Sequence, residues 1–528
     1  MMLTFAAMRL LTTTDLRLVE QRAAQALPAR GLMLKAARAA ADLALAQFRG
    51  PYLVLAGPGN NGGDALETAL LLQQAWQQVS VVLLAEPSQL TVDARQAYER
   101  CRAAQLNFLP TLPDTWSGFQ CVIDGLFGIG LKRALEQALA HWVTSLNHSG
   151  VPILALDIPS GLNADTGRVV GGASGVAVKA SQTLTFIAGK PGLWTAQGPE
   201  YCGQIQVADL GVSETHFKPC PNAGALNSPE QFRPALRPRQ HDSHKGSFGN
   251  VHIVGGQSGM AGAALLAGRA ALFSGAGRVY VHSLAGLELD PLHPELMLRH
   301  AQHQPDPNDL SAGVNVCGPG LGSSEPAQAW LETCLLSPNA LVLDADALNL
   351  LAQDLAWKKL LHARQAPTVL TPHPLEAARL LQEQAVEVNA DRLRAARELA
   401  EAYHATVVLK GAGTIITRPA GLPTTEGPVW RINPTGNPGL ASAGTGDVLA
   451  GVTGALIAGA LQHDRNKPLT ALALAFDCAC AAVWLHGKAA EELTADPRQA
   501  GTIGLTATEL LPALRRCLNE LTNDLARS

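Results

Sequence analysis

The chain has 528 residues, 47% of them hydrophobic and 16% charged, a composition that describes a well-buried globular protein and excludes disorder on a large scale. Its 40 basic and 44 acidic residues leave a formal charge of -4, so no global field recruits nucleic acid or an anionic membrane, and any anion must be held locally. The length exceeds one ordinary core and predicts about two to four domains.

The opening MMLTFAAMRLL is apolar, but Arg9 interrupts it and no basic start or cleavage site accompanies it, so it reads as the lead-in to a first helix. From Thr14 to about Ala46 the apolar spacing is helical. The strand candidates YLVLAG, VSVVLLA, FQCVIDG, VPILALDIP, SQTLTFIA and GQIQVADLG then alternate with amphipathic runs such as ALETALLLQQAW. Strands apolar on both faces predict a parallel sheet covered by helices on both sides, a doubly wound α/β domain ending near Gly211. From about Val212 to Gly246 the chain is Pro-rich and polar without a sustained period, the signature of an interdomain linker. Alternation resumes with VHIVGG, RVYVHSL, GVNVCGPG, ALVLDADAL, PTVLTPH, TVVLKGAG and TIITRP, followed by the helical VLAGVTGALIAGALQ and LTALALAFDCACAAVWLHG. This is a second α/β domain. The longest uncharged runs are Gly-rich and stop short of a membrane span, and none is expected to cross one. Nine cysteines form neither a disulfide framework nor a C-x-x-C zinc pattern, as reduced core thiols of a cytoplasmic protein would.

In the first domain, Gly57-x-Gly59-x-x-Gly62 opens a helix after a strand and satisfies the dinucleotide fingerprint. An ordinary turn rich in Gly and Asn meets the same pattern. DGLFGIG, from Asp124 to Gly130, and DIPSGLNADTG, from Asp157 to Gly167, each follow a strand and border the crevice of an open sheet, although an Asp there is often a helix cap. Asn61, Asp124 and Ser160 could bring hard oxygen atoms together near the glycine turn, which suits a monovalent or alkaline-earth cation beside an anionic ligand. Asp157 is left as the best acid/base group. Glu86, after the second strand, is the ribose-gripping candidate of a rival dehydrogenase reading.

AGPGNNGGD, DGLFGIG, DIPSGLNADTG, TLTFIAGKPGL and VADLGV together resemble the epimerase domain of NAD(P)H-hydrate repair enzymes, over residues 10 to 212. The resemblance implies that the dinucleotide is the substrate, NADH or NADPH hydrated on its nicotinamide ring. It implies substrate contacts at Asn60, Asn61, Gly62, Gly63 and Asp64 and along Gly128, Ile129, Gly130, Leu131, Lys132, Arg133 and Ala134. Asn61, Asp124 and Ser160 become potassium (K+) ligands, Asp157 a substrate-binding and catalytic residue, and Lys190 a site neighbour of unassigned role. The chain departs from the family at Ala65, where Gly is usual, and at Lys35, where an acidic residue is common.

In the second domain, GMAGAALLAGRAAL sets a turn of small residues between a strand and a close-packing helix. CGPGLG, VLDADALN, LTPHPLE, VLKGAGT and NPGLASAGTGDVLAG each follow a strand or open a helix, as a nucleotide site requires. In GTGD, the backbone N–H groups of Gly444 to Gly446 can face a transferring phosphoryl while Asp447 accepts a proton from a hydroxyl. Taken alone, it could be an Asp-capped helix. GxGD resembles the ribokinase-like kinases, and the full set resembles the ADP-dependent NAD(P)H-hydrate dehydratases over residues 225 to 520, with Ala443 where Gly is frequent. That resemblance implies the hydrated nucleotide near Ala261, Gly320, His373 and Asp447, and the adenine nucleotide on Lys410, Gly411, Ala412, Gly413, Thr414 and Gly446, with Mg2+ accompanying ADP.

The expected organisation is therefore a Rossmann-like epimerase domain over 1–215, a linker over 216–245 and a ribokinase-like dehydratase domain over 246–528. Such an enzyme would interconvert R and S hydrates and dehydrate the S form with ADP, as a homo-oligomer without nucleic-acid or membrane partners. A sugar or vitamin kinase with a regulatory nucleotide-binding domain, and a non-catalytic nucleotide sensor, are the competing readings.

Overall fold

The computed structural model describes residues 8–26, 30–113, 115–218, 220, 223–301, 304–420, 428–463, 468–496 and 501–527. They form two compact units, Met1–Gly224 and Ala225–Ser528.

In the first unit a short strand, β1 (Arg9–Leu10), is bridged to Gly189, and helices Thr13–Ala26 and Gly31–Gln47 follow. Seven further strands are β2 (Tyr52–Ala56), β3 (Val79–Leu83), β4 (Asn107–Leu109), β5 (Cys121–Gly125), β6 (Ile153–Leu156), β7 (Gln182–Phe186) and β8 (Gln204–Ala208). They lie in the order β4-β3-β2-β5-β6-β7-β8, every pair parallel. All residues of β2, β5, β6 and β7 are buried, which is why β2 and β6 are apolar on both faces, while β7 buries the polar Gln182, Thr183 and Thr185. Strand order reverses between β2 and β5, so the connections that follow these neighbours run on to opposite sides of the sheet, the arrangement that places a ligand crevice at the carboxyl edge.

The second unit contains β9 (Gly224–Leu226), β10 (Asn250–Gly255), β11 (Arg278–Ser283), β12 (Met297–His300), β13 (Val314–Cys317), β14 (Ala340–Leu343), β15 (Thr368–Leu370), β16 (Thr406–Leu409), β17 (Ile415–Thr417) and β18 (Trp430–Ile432). From β9 the order runs β9-β18-β17-β16-β15-β14-β13-β10-β11-β12, parallel except where β16, β17 and β18 pair antiparallel. Helices Ala261–Phe273, Thr445–His463, Pro468–Ala495 and Ala507–Arg527 share one core with Val251, Ile253, Val316, Val342, Val369 and Val408 of the sheet. Small residues bring two of these helices together: a Cβ on Gly451 would fall 2.1 Å from the Ala267 carbonyl oxygen.

The segment expected to be a linker carries structure of its own. Ala225 and Leu226 of β9 pair with Arg431 and Ile432 of β18, and Phe232, Ala235 and Leu236 are buried in the second unit's core. Its many prolines start short helical turns, at Pro229 and Pro234, where a missing N–H costs nothing. Helix Pro468–Ala495 includes a stretch, Ala471–Ala495, that is long and apolar enough for a membrane span by length and composition, although Asp477 interrupts its uncharged run. Two-thirds of that window is buried inside the protein, as in a core helix. All nine cysteines are free and buried.

Candidate functional sites

In the first unit, glycines let the loops after β2 and β5 touch. A Cβ on Gly57 would lie 1.8 Å from the Leu126 carbonyl oxygen, and one on Gly62 1.9 Å from that of Gly57. Helix Asn60–Gln74 thus starts against the end of β5, with Asn61, Gly62, Gly63 and Asp64 in its first turns. Asn60 is exposed and accepts a hydrogen bond from Thr91. Asn61 is buried, and neither its amide oxygen nor its nitrogen has a partner. Beside this loop Asp124 is fully buried and accepts from the Ser160 hydroxyl at 2.7 Å, the Ser160 N–H at 2.8 Å and the Leu126 N–H at 3.2 Å. Burial raises its carboxyl to about 6 despite these bonds. An uncompensated buried carboxyl, an orphaned amide and a hydroxyl are a fitting donor set for a monovalent cation.

Asp157 follows β6 with φ +67°. The Ile158 N–H donates to the Leu156 carbonyl at 2.8 Å, closing a tight γ-turn around it. One strand over, Ile187 repeats this with φ +69° and a bond from the Ala188 N–H to the Phe186 carbonyl. Between the two turns lies Lys190, fully buried, donating to Asp157 Oδ1 at 2.5 Å, Thr185 Oγ1 at 2.7 Å and the Phe186 carbonyl at 2.9 Å. The loop from Gly128 passes over this pair: a Cβ on Gly128 would lie 3.3 Å from Asp157 Oδ2 and 3.4 Å from Asn61 Cβ. Further along, Lys132, Arg133 and Ala134 are exposed. Asp64 sits well above the usual carboxylate range through burial and the nearby Asp157, Glu20 and Glu67. Glu20 is a neighbour the sequence reading did not single out. The two departures are accommodated: Ala65 packs on Gly125, which has no side chain to oppose it, and Lys35 donates to the Leu210 carbonyl at 2.8 Å.

In the second unit five loops converge at the carboxyl ends of β10, β13, β14, β15 and β16. The Gly256 and Gln257 N–H groups donate to the Pro319 and Gly320 carbonyls, and a Cβ on Gly320 would meet Met260 and Ala263, which brings Gly320 beside Ala261. Lys410 donates to Asp344 Oδ1 at 2.7 Å and lies 3.9 Å from Glu376. Burial alone would lower its ammonium, but Asp344, Glu376 and Asp447 outweigh this and raise it. His373 caps helix Pro374–Leu381, accepting from the Leu375 and Glu376 N–H groups while Glu376 accepts from the His373 N–H. Desolvation and Lys410 lower the imidazole, whereas burial raises Glu376 to about 7.

Gly444, at φ +85°, turns the chain into helix Thr445–His463. In its first turn Asp447 is raised to about 7 by burial and Asp344, against the pull of Lys410, and a Cβ on Gly446 would lie 3.4 Å from Lys410 Nζ. Gly446, Asp447 and Lys410 are therefore one cluster. The loop from Lys410 to Thr414 is held from beneath by Arg392, whose guanidinium donates to the Leu409, Lys410, Ala412 and Gly413 carbonyls. Arg392, Asp344, Glu376 and the buried His486 were not singled out from sequence. Their roles arise from contacts between distant segments.

A family model described as YjeF-related protein N-terminus matches residues 29–192, and one described as NAD(P)H-hydrate dehydratase matches 251–516. A bifunctional NAD(P)H-hydrate repair enzyme of Coxiella burnetii is 38% identical over 92% of this chain and 94% of that protein. One from Escherichia coli is 36% identical over 97% and 94%. The chain belongs to the bifunctional NAD(P)H-hydrate repair enzyme family. Among solved structures, an ADP/ATP-dependent NAD(P)H-hydrate dehydratase from Bacillus subtilis, co-crystallised with ATP/Mg2+, is 30% identical with a TM-score of 0.45, covering 56% of this chain and 98% of that one. A ribokinase-like superfamily protein from Enterococcus faecalis is 28% identical with a TM-score of 0.44, covering 56% and 95%. Family membership sets aside the dehydrogenase reading of Glu86, which is exposed, and the sugar or vitamin kinase.

Proposed function

We propose that the first unit interconverts the R and S forms of hydrated NADH and NADPH, and that the second dehydrates the S form with ADP. Similarity to bifunctional repair enzymes across both units carries this reading. In the dehydratase, Asp447 takes the proton of the ring hydroxyl as the hydroxyl oxygen attacks the β-phosphoryl of ADP, breaking the phosphoanhydride bond and releasing AMP. Phosphate then leaves with the electron pair of the ring C–O bond as the ring nitrogen donates its own pair, and loss of a proton from the adjacent carbon restores NAD(P)H. Hydroxide is a poor leaving group and phosphate a good one, which explains a kinase-like centre in a dehydratase. Lys410 faces the phosphates, His373, Gly320 and Ala261 border the hydrated ring, and the N–H groups around Gly446 receive the transferring group.

Among the described residues no group of three or more His, Cys, Asp or Glu side chains is placed to hold a metal ion. Mg2+ would come bound to the ADP phosphates, whose charge it neutralises. In the epimerase unit, K+ held by Asn61, Asp124 and Ser160 would offset the substrate's anionic charge, while Asp157 and Lys190 handle protons. A cytoplasmic homo-oligomer completes the reading.

The deciding experiment incubates the protein with mixed R and S hydrates, with and without ADP, and follows the dihydronicotinamide absorbance. Full recovery with ADP supports both activities. Recovery of half a racemic mixture removes the epimerase, and no recovery removes the dehydratase.

A further inference from the structure

Helix Thr13–Ala26 buries Leu16, Val19 and Ala23 and carries the half-buried Glu20 within electrostatic reach of Asp157 and Lys190. Its position is fixed by β1, which is bridged to Gly189 next to Lys190, and by the Thr13 N–H, which donates to Asp165 Oδ1 at 2.6 Å. Arg17, one turn before Glu20, reaches the loop over the site: a Cβ on Gly130 would lie 3.7 Å from its Nη2. The charges acting on Glu20 are Asp157, Lys190 and Arg17, and it in turn acts on Asp64. From the other elements beside this helix, Lys35 is committed to the Leu210 carbonyl and Glu214 to Arg9. No hydrogen bond or ion pair engages the Glu20 carboxyl among the described residues.

We propose that Glu20 is the second proton-transfer group of the epimerase centre, acting opposite Asp157, an inference that rests on the epimerase reading of this unit. Hydration of an enamine puts the hydroxyl on the carbon that also bears nitrogen, so the stereocentre is a hemiaminal. Asp157 removes the hydroxyl proton, the ring C–N bond breaks with its electron pair passing to nitrogen, and Glu20 delivers a proton to that nitrogen. The result is an open-chain aldehyde. Rotation about the neighbouring C–C bond followed by the reverse transfers closes the ring in the opposite configuration, returning both protons and consuming no co-reactant. Such a cycle needs one carboxyl ionised and another protonated at the same pH. Burial, reinforced by Asp157, raises Glu20 to about 7 in spite of Lys190 and Arg17, which supplies the protonated member.

The test uses full-length Glu20→Gln and Glu20→Asp, measuring conversion of purified R hydrate to S by chromatography and, separately, ADP-dependent dehydration of purified S hydrate. Glu20→Gln is expected to lower interconversion by at least ~100-fold and leave S-hydrate dehydration unchanged. In the wild type, interconversion kcat/KM should decline as pH rises through about 7. That limb should vanish in Glu20→Gln and move in Glu20→Asp, which keeps an acid at shorter reach. Near wild-type interconversion by a folded Gln variant would overturn the proposal. So would an unmoved limb in the Asp variant, which decides the matter if the Gln variant does not fold. A wild-type protein that dehydrates S hydrate but never converts R would overturn the epimerase reading and this proposal with it, whereas a loss confined to the Gln variant bears on Glu20 alone.

Discussion

Asp157 and Asp447 are carboxylates beside lysines, but the two pairs differ in what holds the cation. Lys190 is fully buried and its one charged hydrogen-bond partner among the described residues is Asp157, whereas Lys410 is bonded to Asp344 and lies near Glu376. Asp157→Asn should therefore do two things: slow interconversion of the hydrates by ~100- to 10,000-fold, and destabilise the first unit by about 3 kcal/mol because a buried ammonium loses its counter-charge. Denaturant unfolding checks the second effect, and adding Lys190→Met should recover stability without recovering activity. ADP-dependent repair of pure S hydrate should persist throughout. Asp447→Asn should cut NADH regeneration by at least ~100-fold with epimerisation intact. Since the base must be ionised, wild-type dehydration kcat/KM should rise with pH through about 7. Stability runs the other way. Folded Asp447 keeps its proton to about 7 while the unfolded chain releases it near 3.8, so its stabilising contribution is fully present below the lower value and lost as pH rises through the upper one. The Asn variant should gain in melting temperature over wild type at pH 8 and not at pH 4.

The elements differ in how far the chain announces them. The both-face apolar strands and Gly-rich loops were legible because burial and close approach leave few residue choices. β4 and β12 escaped because they are short, partly exposed edge strands. β9 has three residues, and β18 carries the buried Arg431 in a three-residue run, so neither offers a period to read. The same holds for the candidate sites: residues inside the loops were readable, but Glu20 and Arg392 act on loops far from them in sequence, and pairing across such distances has no local signature. Arg392 makes the point testable. Its fork spans four carbonyls, a pattern an ammonium cannot reproduce, so Arg392→Lys should loosen the Lys410–Thr414 loop. Losing one charged hydrogen bond of about 1.5–3 kcal/mol should weaken ADP binding at least ~10-fold by calorimetry, with R and S interconversion unaffected.

At the scale of the whole molecule, the Pro-rich stretch hid a boundary nearer its start than its end. Phe232 belongs to the second core and β9 pairs with β18 of its sheet, so a fragment starting at residue 223 should fold cooperatively and retain S-hydrate dehydration. One starting at residue 246 should be less stable by about 3–5 kcal/mol, the cost of emptying a buried aromatic site, as chemical denaturation would show. The nine buried thiols add a consequence of their own. Cys101, Cys121, Cys202 and Cys220 lie in the first unit and Cys317, Cys334, Cys478, Cys480 and Cys517 in the second. A chromogenic disulfide reagent can reach them only when the surrounding structure opens, so the native chain carries its own set of stopwatches. If the halves breathe independently, mass spectrometry during slow labelling should reveal molecules modified at four sites or at five, well before any carry nine.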